Sequence, residues 1–232
     1  MTEWCYDLHV HTAEVSVCGH LAARDVVDLT ASAGYAGIVI TDHYYEFFFK
    51  RHAGKPWITQ VDAYLQGYRN ALRAAEAREL TVLLGAEMRF VDDPSDYLVY
   101  GIDEDFLVAH PHAYRWDIRW LARETEGTEV RIFQAHPFRR RDTVVPIGSL
   151  HGLEVLNGNP RHDSHNEEAW AAAEANDMLM ISGSDIHQHE DVGRGGICVP
   201  EPLRSNSELV RTLDDNRCMR LLGFEVMQPS DR

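Results

Sequence analysis

The chain has 232 residues, 44% of them apolar and 25% charged. That is ordinary globular composition, enough to bury a large core in one domain spanning residues 1–232. Acidic residues number 37 and basic residues 22, for a net charge of −15. No basic stripe is present, which argues against duplex nucleic acid as a partner.

Short apolar runs at 5–11, 37–43, 81–90, 97–102, 130–137, 153–156, 178–184 and 218–226 read as strands. Helical spacing appears between them at 22–33, 61–80, 166–176 and 207–216. The first of these helices stops at Gly34, a C-terminal signal. Repeated strand–helix–strand order predicts parallel pairing with right-handed crossovers, and about seven repeats favour a closed barrel over an open sheet. Two insertions stand out. Residues 44–59 are aromatic with poor periodicity, and 139–150 begin with three arginines. Each follows a strand, so each is expected at the C-terminal rim of a barrel, where active sites form.

Cys5, Cys18, Cys198 and Cys218 form no C-x-x-C pair, which predicts neither a zinc knuckle nor a disulfide framework. The longest uncharged run, residues 29–41, is too short to cross a bilayer. The first residues, MTEWCYDLHVHT, lack the basic and apolar regions of a leader. A reducing cytoplasm without membrane contact is the expected setting.

Histidine is the unusual residue. Thirteen are present, several at spacing two. In Asp7-Leu8-His9-Val10-His11 strand alternation puts Asp7, His9 and His11 on one face. Thr41-Asp42-His43 ends the second strand, Glu87 lies in the third, His136 ends a later one, and Ser184-Asp185-Ile186-His187 ends another. Five such clusters at strand ends are hard to explain by packing, because buried ionisable groups need partners. A coordinated cation supplies one partner for all of them.

The motifs DLHVHT, ITDHY, GAE, QAHPF and GSDIH, in this order over about residues 5–200, resemble those of the PHP (polymerase and histidinol phosphatase) superfamily. That resemblance implies an α/β fold, a distorted (β/α)7 barrel, holding two or three divalent metals. It also implies phosphoester hydrolysis by a metal-bridging hydroxide. Carried over residue by residue, His9, His11, Glu87 and Asp185 would hold a first metal. Glu87 would bridge to a second that also takes His136, and His43 and His187 would hold a third. Asp185 and His187 are the expected catalytic residues. Manganese, iron and zinc all suit these mixed nitrogen and oxygen donors.

Two departures from the family pattern bear on the site. A further second-metal histidine is missing between Glu87 and His136, leaving Asp96, His110 or His112 as substitutes. After the H-x-H pair, Glu14 and His20 both qualify as third-site ligands, with Glu14 slightly favoured; Cys18 between them reads mainly as a small buried residue. Asp7 is expected either to orient a ligand imidazole or to make an interior hydrogen bond. For a substrate phosphate, Arg139 is the first candidate and Arg161 the second, with Arg140 and Arg141 facing solvent. Phe47, Phe48 and Phe49 read either as a surface that stacks a substrate ring or as a rim cover and subunit contact. The expected partner is a small phosphomonoester. Two rival readings stand beside it: a metal-dependent C–N hydrolase of amidohydrolase type, and a non-catalytic metal-binding module. Only Lys50 and Lys55 exist in the chain, in one loop, so a carbamylated-lysine bridge is not expected.

Overall fold

A computed structural model describes residues 3–140, 147–215 and 219–223. In chain order the elements are β1 (Trp4–Val10), α1 (Ala23–Ser32), β2 (Gly37–Ile40), β3 (His43–Tyr44), α2 (Glu46–Lys50), α3 (Trp57–Tyr64), α4 (Gln66–Ala75), β4 (Thr81–Met88) and β5 (Tyr97–Tyr100). They continue with α5 (Glu104–Ala109), α6 (Ile118–Glu124), β6 (Arg131–Gln134), β7 (Gly152–Asn157), α7 (Asn166–Ala175), β8 (Leu179–Gly183), β9 (Gly196–Val199), α8 (Asn206–Asp214) and β10 (Arg220–Leu222).

The strands form one sheet in the order β10-β9-β1-β2-β4-β5-β6-β7-β8, with β3 beside β4. A bridge between Val10 and Ile186 brings the far edge back to β1, so the sheet nearly closes. The result is the expected mixed α/β barrel, distorted, with one correction to its pairing. β1–β2, β2–β4, β6–β7 and β7–β8 are parallel, but β4–β5, β5–β6, β1–β9 and β9–β10 are antiparallel. The link from β4 to β5 carries no helix, and a parallel return needs a crossover of a dozen or more residues.

Leu8, Leu83, Leu98, Tyr100, Phe133 and Ile181, from five strands, meet in one buried cluster. Val10, Val26, Val27, Ile38 and Ala71 form another beneath α1 and α4. Leu8 and Val10 thus fall into different clusters, and the β1–β2 register shifts between Asp7 and Val10. Strict alternation fails at the histidine motif.

Other expectations shift for local reasons. The helix expected over 61–80 is two, α3 and α4. Near its start α4 passes close to the loop after β1, where a side chain on Gly67 would overlap Thr12 and Asp42. The strand expected over 37–43 breaks at Thr41-Asp42, because Asp42 turns to accept hydrogen bonds from Thr12 and Ser16. β9, α2, α5 and α6 are too short to give a periodic signal. Of the strand expected over 218–226, residues 218 and 224–226 lie outside the described residues, as does Arg141. Cys5 and Cys198, paired across β1 and β9, form a disulfide, against the expectation of none; sequence spacing carries no sign of a partner 193 positions away. Among the described residues no helix is long and apolar enough to cross a membrane.

Candidate metal centre

Glu87, near the end of β4 and 2% exposed, lies at the middle of the site. Its Oε1 faces His136 Nε2 at 3.2 Å and His9 Nε2 at 3.6 Å. Its Oε2 faces His43 Nε2 at 2.8 Å and His11 Nε2 at 3.6 Å. Asp185 closes the group, with Oδ1 at 3.5 Å from His9 Nε2 and 3.3 Å from His11 Nε2. Four triads have donor atoms within 4.8 Å of one another: His9-His11-Glu87, His9-His136-Asp185, His11-His43-His187 and Glu87-Asp96-His136. The five sequence clusters meet in one place. His136 and Asp185 do so with left-handed backbone, at φ 29° and 55°, a strained conformation for non-glycine residues that is held at functional sites.

Each inner imidazole is fixed from behind. His9 Nδ1 lies 2.9 Å from Glu154 Oε1 and donates to it. The other Glu154 oxygen accepts from His136 N–H at 2.9 Å and Asn157 Nδ2 at 3.0 Å. Gly183 lets β8 come this close, since a side chain there would strike His9 and Glu154. Ser16 gives its one hydroxyl proton to Asp42, so its oxygen accepts from His11 Nδ1 at 3.2 Å. Both tautomers therefore turn a lone pair at Nε2 toward Glu87 and Asp185. Those two Nε2 atoms are buried with no hydrogen-bond partner. Buried lone pairs facing carboxylates need a proton or a cation between them, and imidazole with carboxylate is a divalent-metal donor set. The residues fit the expected metals.

Without a metal, a proton fills that role at His9 but not at His11. Burial would raise the Glu87 and Asp185 carboxyls, but the surrounding histidines hold both well below the usual range. Burial would lower His9, but Glu154 and Asp185 raise it well above the ordinary value. Burial, reinforced by His43 and His187, holds His11 well below it.

Some expected residues lie elsewhere. Glu14 accepts from Ala23 N–H at 3.0 Å and Asn70 Nδ2 at 2.9 Å, capping α1 away from the metal groups. His20 lines the mouth of the cavity with its side chain exposed. Cys18, expected to be buried, is exposed at that mouth, and its Sγ lies 3.1 Å from His187 Nε2. Asp7 accepts from the N–H groups of His9 and Ser184 and touches no imidazole ring; Glu154 has the role of orienting His9. The signal for Glu154 was available, a lone carboxylate in the otherwise apolar run Leu153–Leu156.

Of the substitutes for the missing histidine, only Asp96 reaches the centre. Its Oδ2 is 4.0 Å from His136 Nε2, while Arg89 grips both its oxygens at 2.6 Å and the Tyr45 hydroxyl donates to it at 2.7 Å. His110 lies against Phe106 and Glu124, and His112 against Tyr114 and Trp57.

A cavity of about 520 Å³ opens over the group, lined by Arg89, Arg139, Arg140 and Arg161 among others. Arg139 donates to Asp185 Oδ2 at 2.8 Å and Asn157 Oδ1 at 2.7 Å. Arg161 is held by both oxygens of the buried Asp191. Arg140 donates to Pro94 O at 3.0 Å. The aromatic at the site is Tyr45, stacked on His43 at 4.2 Å and covered by Arg89 at 4.4 Å. Phe48 and Phe49 are core residues packed with Tyr44 and Tyr64, and only Phe47 is exposed.

The sequence profile of the PHP domain matches residues 7–184, and one described as PHP-associated matches residues 163–218. A two-domain protein from Bacteroides vulgatus, containing a predicted PHP-like metal-dependent phosphoesterase, superposes with a TM-score of 0.65 at 20% identity. The match covers 95% of this chain and 64% of that one, so this chain spans less than two thirds of that protein. A lesion-specific endonuclease from Pyrococcus furiosus gives 0.60 at 12% identity, over 95% of this chain and 58% of the other. An amidohydrolase from Chromobacterium violaceum, solved with bound sulfate and no metal, gives 0.52 at 18% identity over 97% and 98%. No curated protein matches the chain. At these identities the structural likeness extends to the fold.

Proposed function

As the chain belongs to the PHP family, we propose that this cavity is the active site of a metal-dependent phosphoesterase that hydrolyses a small phosphomonoester. One observation carries the proposal: two fully buried imidazoles, His9 and His11, aim unpartnered Nε2 atoms at Glu87 and Asp185. His9, His11, Glu87 and Asp185 would hold one divalent cation, Glu87, His136 and Asp96 a second, and His43 and His187 an outer one. Such cations supply an acidified water and Lewis-acid neutralisation of phosphoryl oxygens.

The chain's own groups do the rest. Glu154 holds His9 in the tautomer that leaves Nε2 free. Arg139 already bonds Asp185 Oδ2, so a phosphate bound beside Asp185 meets a forked donor in place. Arg89 lines the same cavity, and although its Nε and Nη2 are held by Asp96 it adds positive charge there. These arginines reverse locally the repulsion that a net charge of −15 exerts on an anion. A protonated histidine at the cavity mouth, such as His20, would give a proton to the leaving alkoxide. A volume of about 520 Å³ lies within the range of small-molecule pockets.

The amidohydrolase neighbour favours C–N hydrolysis as a second reading. Neither lysine supports a carbamylated bridge: Lys50 pairs with Glu46 and Lys55 lies beside His52. The test is elemental analysis plus one assay of metal-loaded protein on p-nitrophenyl phosphate, nucleoside monophosphates, histidinol phosphate, single-stranded DNA and N-acyl amino acids. At least two divalent metals per chain and fastest turnover of a monophosphate are expected. Fewer than one metal, or faster cleavage of DNA or of an amide, overturns the proposal.

A further inference from the structure

Cys18 lies in the segment between β1 and α1, with its side chain exposed at the cavity mouth. Its Sγ is 3.1 Å from His187 Nε2 and 3.8 and 3.9 Å from the two ring nitrogens of His43. His187 Nδ1 faces the carbonyl of Asp185 at 2.9 Å, so Nε2 is the nitrogen left for another partner. On the inner side of the same group, the fully buried His11 has a ring nitrogen within 4.8 Å of ring nitrogens of His43 and His187.

These separations have a simple metric meaning. Zinc–sulfur bonds of about 2.3 Å and zinc–nitrogen bonds of about 2.05 Å at a tetrahedral angle place sulfur and nitrogen about 3.6 Å apart. The Cys18 Sγ to His187 Nε2 distance, 3.1 Å, is about half an ångström shorter than that, and 3.8 and 3.9 Å to the two His43 nitrogens set the sulfur equally near both, so a shared cation requires the sulfur to draw back from His187 and the His43 ring to turn one nitrogen toward it. In the metal-free protein a thiolate accepting from both rings accounts for these contacts, and a cation bound by the same three groups would take the place of the shared protons. Neither Glu14, held at the start of α1, nor the exposed His20 offers a comparable donor.

We propose that Cys18, as a thiolate, is the third protein ligand of the outer cation together with His43 and His187, and that this position selects zinc or another thiophilic metal over manganese. Resting on the metal-dependent reading above, it divides the centre into two chemistries. The inner positions offer imidazole and carboxylate, which suit manganese and iron as well as zinc. The outer one offers sulfur and imidazole, and soft thiolate ligands favour zinc or iron over manganese and magnesium. Coordination requires the sulfur and both ring nitrogens unprotonated, so filling the outer position releases to solvent the protons that this cluster holds in the metal-free protein.

The experiment uses the full chain, stripped by chelator and titrated with cobalt(II), with bound cobalt counted by elemental analysis of the same samples. A thiolate-to-cobalt charge-transfer band in the near ultraviolet is expected as the outer position fills. Cys18→Ser, a near-isosteric change at an exposed position, should abolish the band, while Cys218→Ser keeps it. One equivalent of zinc should bleach the band and equimolar manganese should not. Zinc affinity of the outer position should fall by about tenfold or more in Cys18→Ser, as for loss of a metal contact. Bound cobalt without the band, a band that survives Cys18→Ser, or bleaching by manganese each overturns the proposal while leaving the phosphoesterase reading intact. Failure to bind any cobalt overturns both.

Discussion

The two sides of the centre are built differently. On the inner side His9 and His11 are fully buried and Glu87 and Asp185 almost so. Each inner ring has a dedicated partner behind it, Glu154 for His9 and Ser16 with Asp42 for His11. On the outer side the His43 and His187 side chains keep 18% and 15% of their exposure, and Cys18 is open to solvent. The inner ligands come from strands or strand ends fixed by register, whereas Cys18 comes from a loop. The difference predicts a rigid inner half that sets whether metal binds at all, and an outer half that tunes which metal and at what pH.

The largest effects should come from the inner half. His9→Ala and Asp185→Asn should each lower turnover by more than about 100-fold and reduce metal content, since each removes a ligand and ligand-supporting contacts alone are worth about 10–100-fold. His43→Ala should cost less and leave inner metal bound. Equal losses in both halves, read by turnover with metal content measured in parallel, would break the comparison. Glu154→Gln comes next. It keeps an acceptor for His9 but turns an amide N–H₂ toward donors on His136 or Asn157. About 10–100-fold weaker metal binding and a lower Tm are expected. Unchanged affinity by metal titration would show that the inner imidazoles need no fixing.

Arg139→Ala should have a smaller effect, raising KM for a monophosphate about tenfold, with a lower kcat if its contact strengthens in the transition state. Arg161→Ala should lower Tm and leave KM nearly unchanged, because Asp191 holds that guanidinium on both oxygens while also accepting from His187 N–H. Steady-state kinetics on the two variants distinguishes a cavity arginine that meets substrate from one that supports a turn.

How far the sequence reached follows the same division. The inner candidate residues are legible because they lie on strands or at their ends, where His9, His11, Glu87 and Asp185 stand out among apolar neighbours. His136 and His187 were legible by the same rule. The barrel was legible too, because alternating strands and helices leave few other layer arrangements. The antiparallel β5 was not, since connection length and not strand composition sets direction. Cys18 and Glu14 were misjudged because both sit on a loop without periodicity, where nothing says which side chain turns inward. The Asp96–Arg89 pair was only half legible: Asp96 was named as a substitute, but its arginine lies across a turn seven residues away.

The smallest expected effect is on stability, and it reads the outer half through its pH dependence. In the metal-free protein burial would lower His43, but Glu87 and Cys18 push it up to about 9. Burial would likewise lower His187, but Asp185 and Cys18 push it up to about 10. Both folded-state values lie above the ordinary 6.5. Their contribution to stability is therefore fully present below about pH 6.5 and is lost as pH rises through 9 to 10. Glu87 and Asp185 are shifted down, so their contribution is complete above the ordinary carboxylate range and flat across this window. Of the inner imidazoles His11, held low, is already neutral and adds no slope, while His9, held well above the ordinary value by Glu154 and Asp185, adds a loss of the same sign at high pH in the chelated protein. A cation at the outer position needs the same His43 and His187 nitrogens unprotonated, so its stabilising effect grows as the protons leave. Between pH 6.5 and 9.5 the Tm of chelated protein should fall by a few degrees, on the order expected for about 1–2 kcal/mol in a chain of this size. Metal-loaded protein should fall less, so the gap between the two curves widens with pH. His187→Gln should flatten the chelated curve and narrow the gap. Thermal denaturation at four pH values, with and without chelator, measures both; a gap that is constant or shrinks with pH would place the titrating groups somewhere other than the outer half.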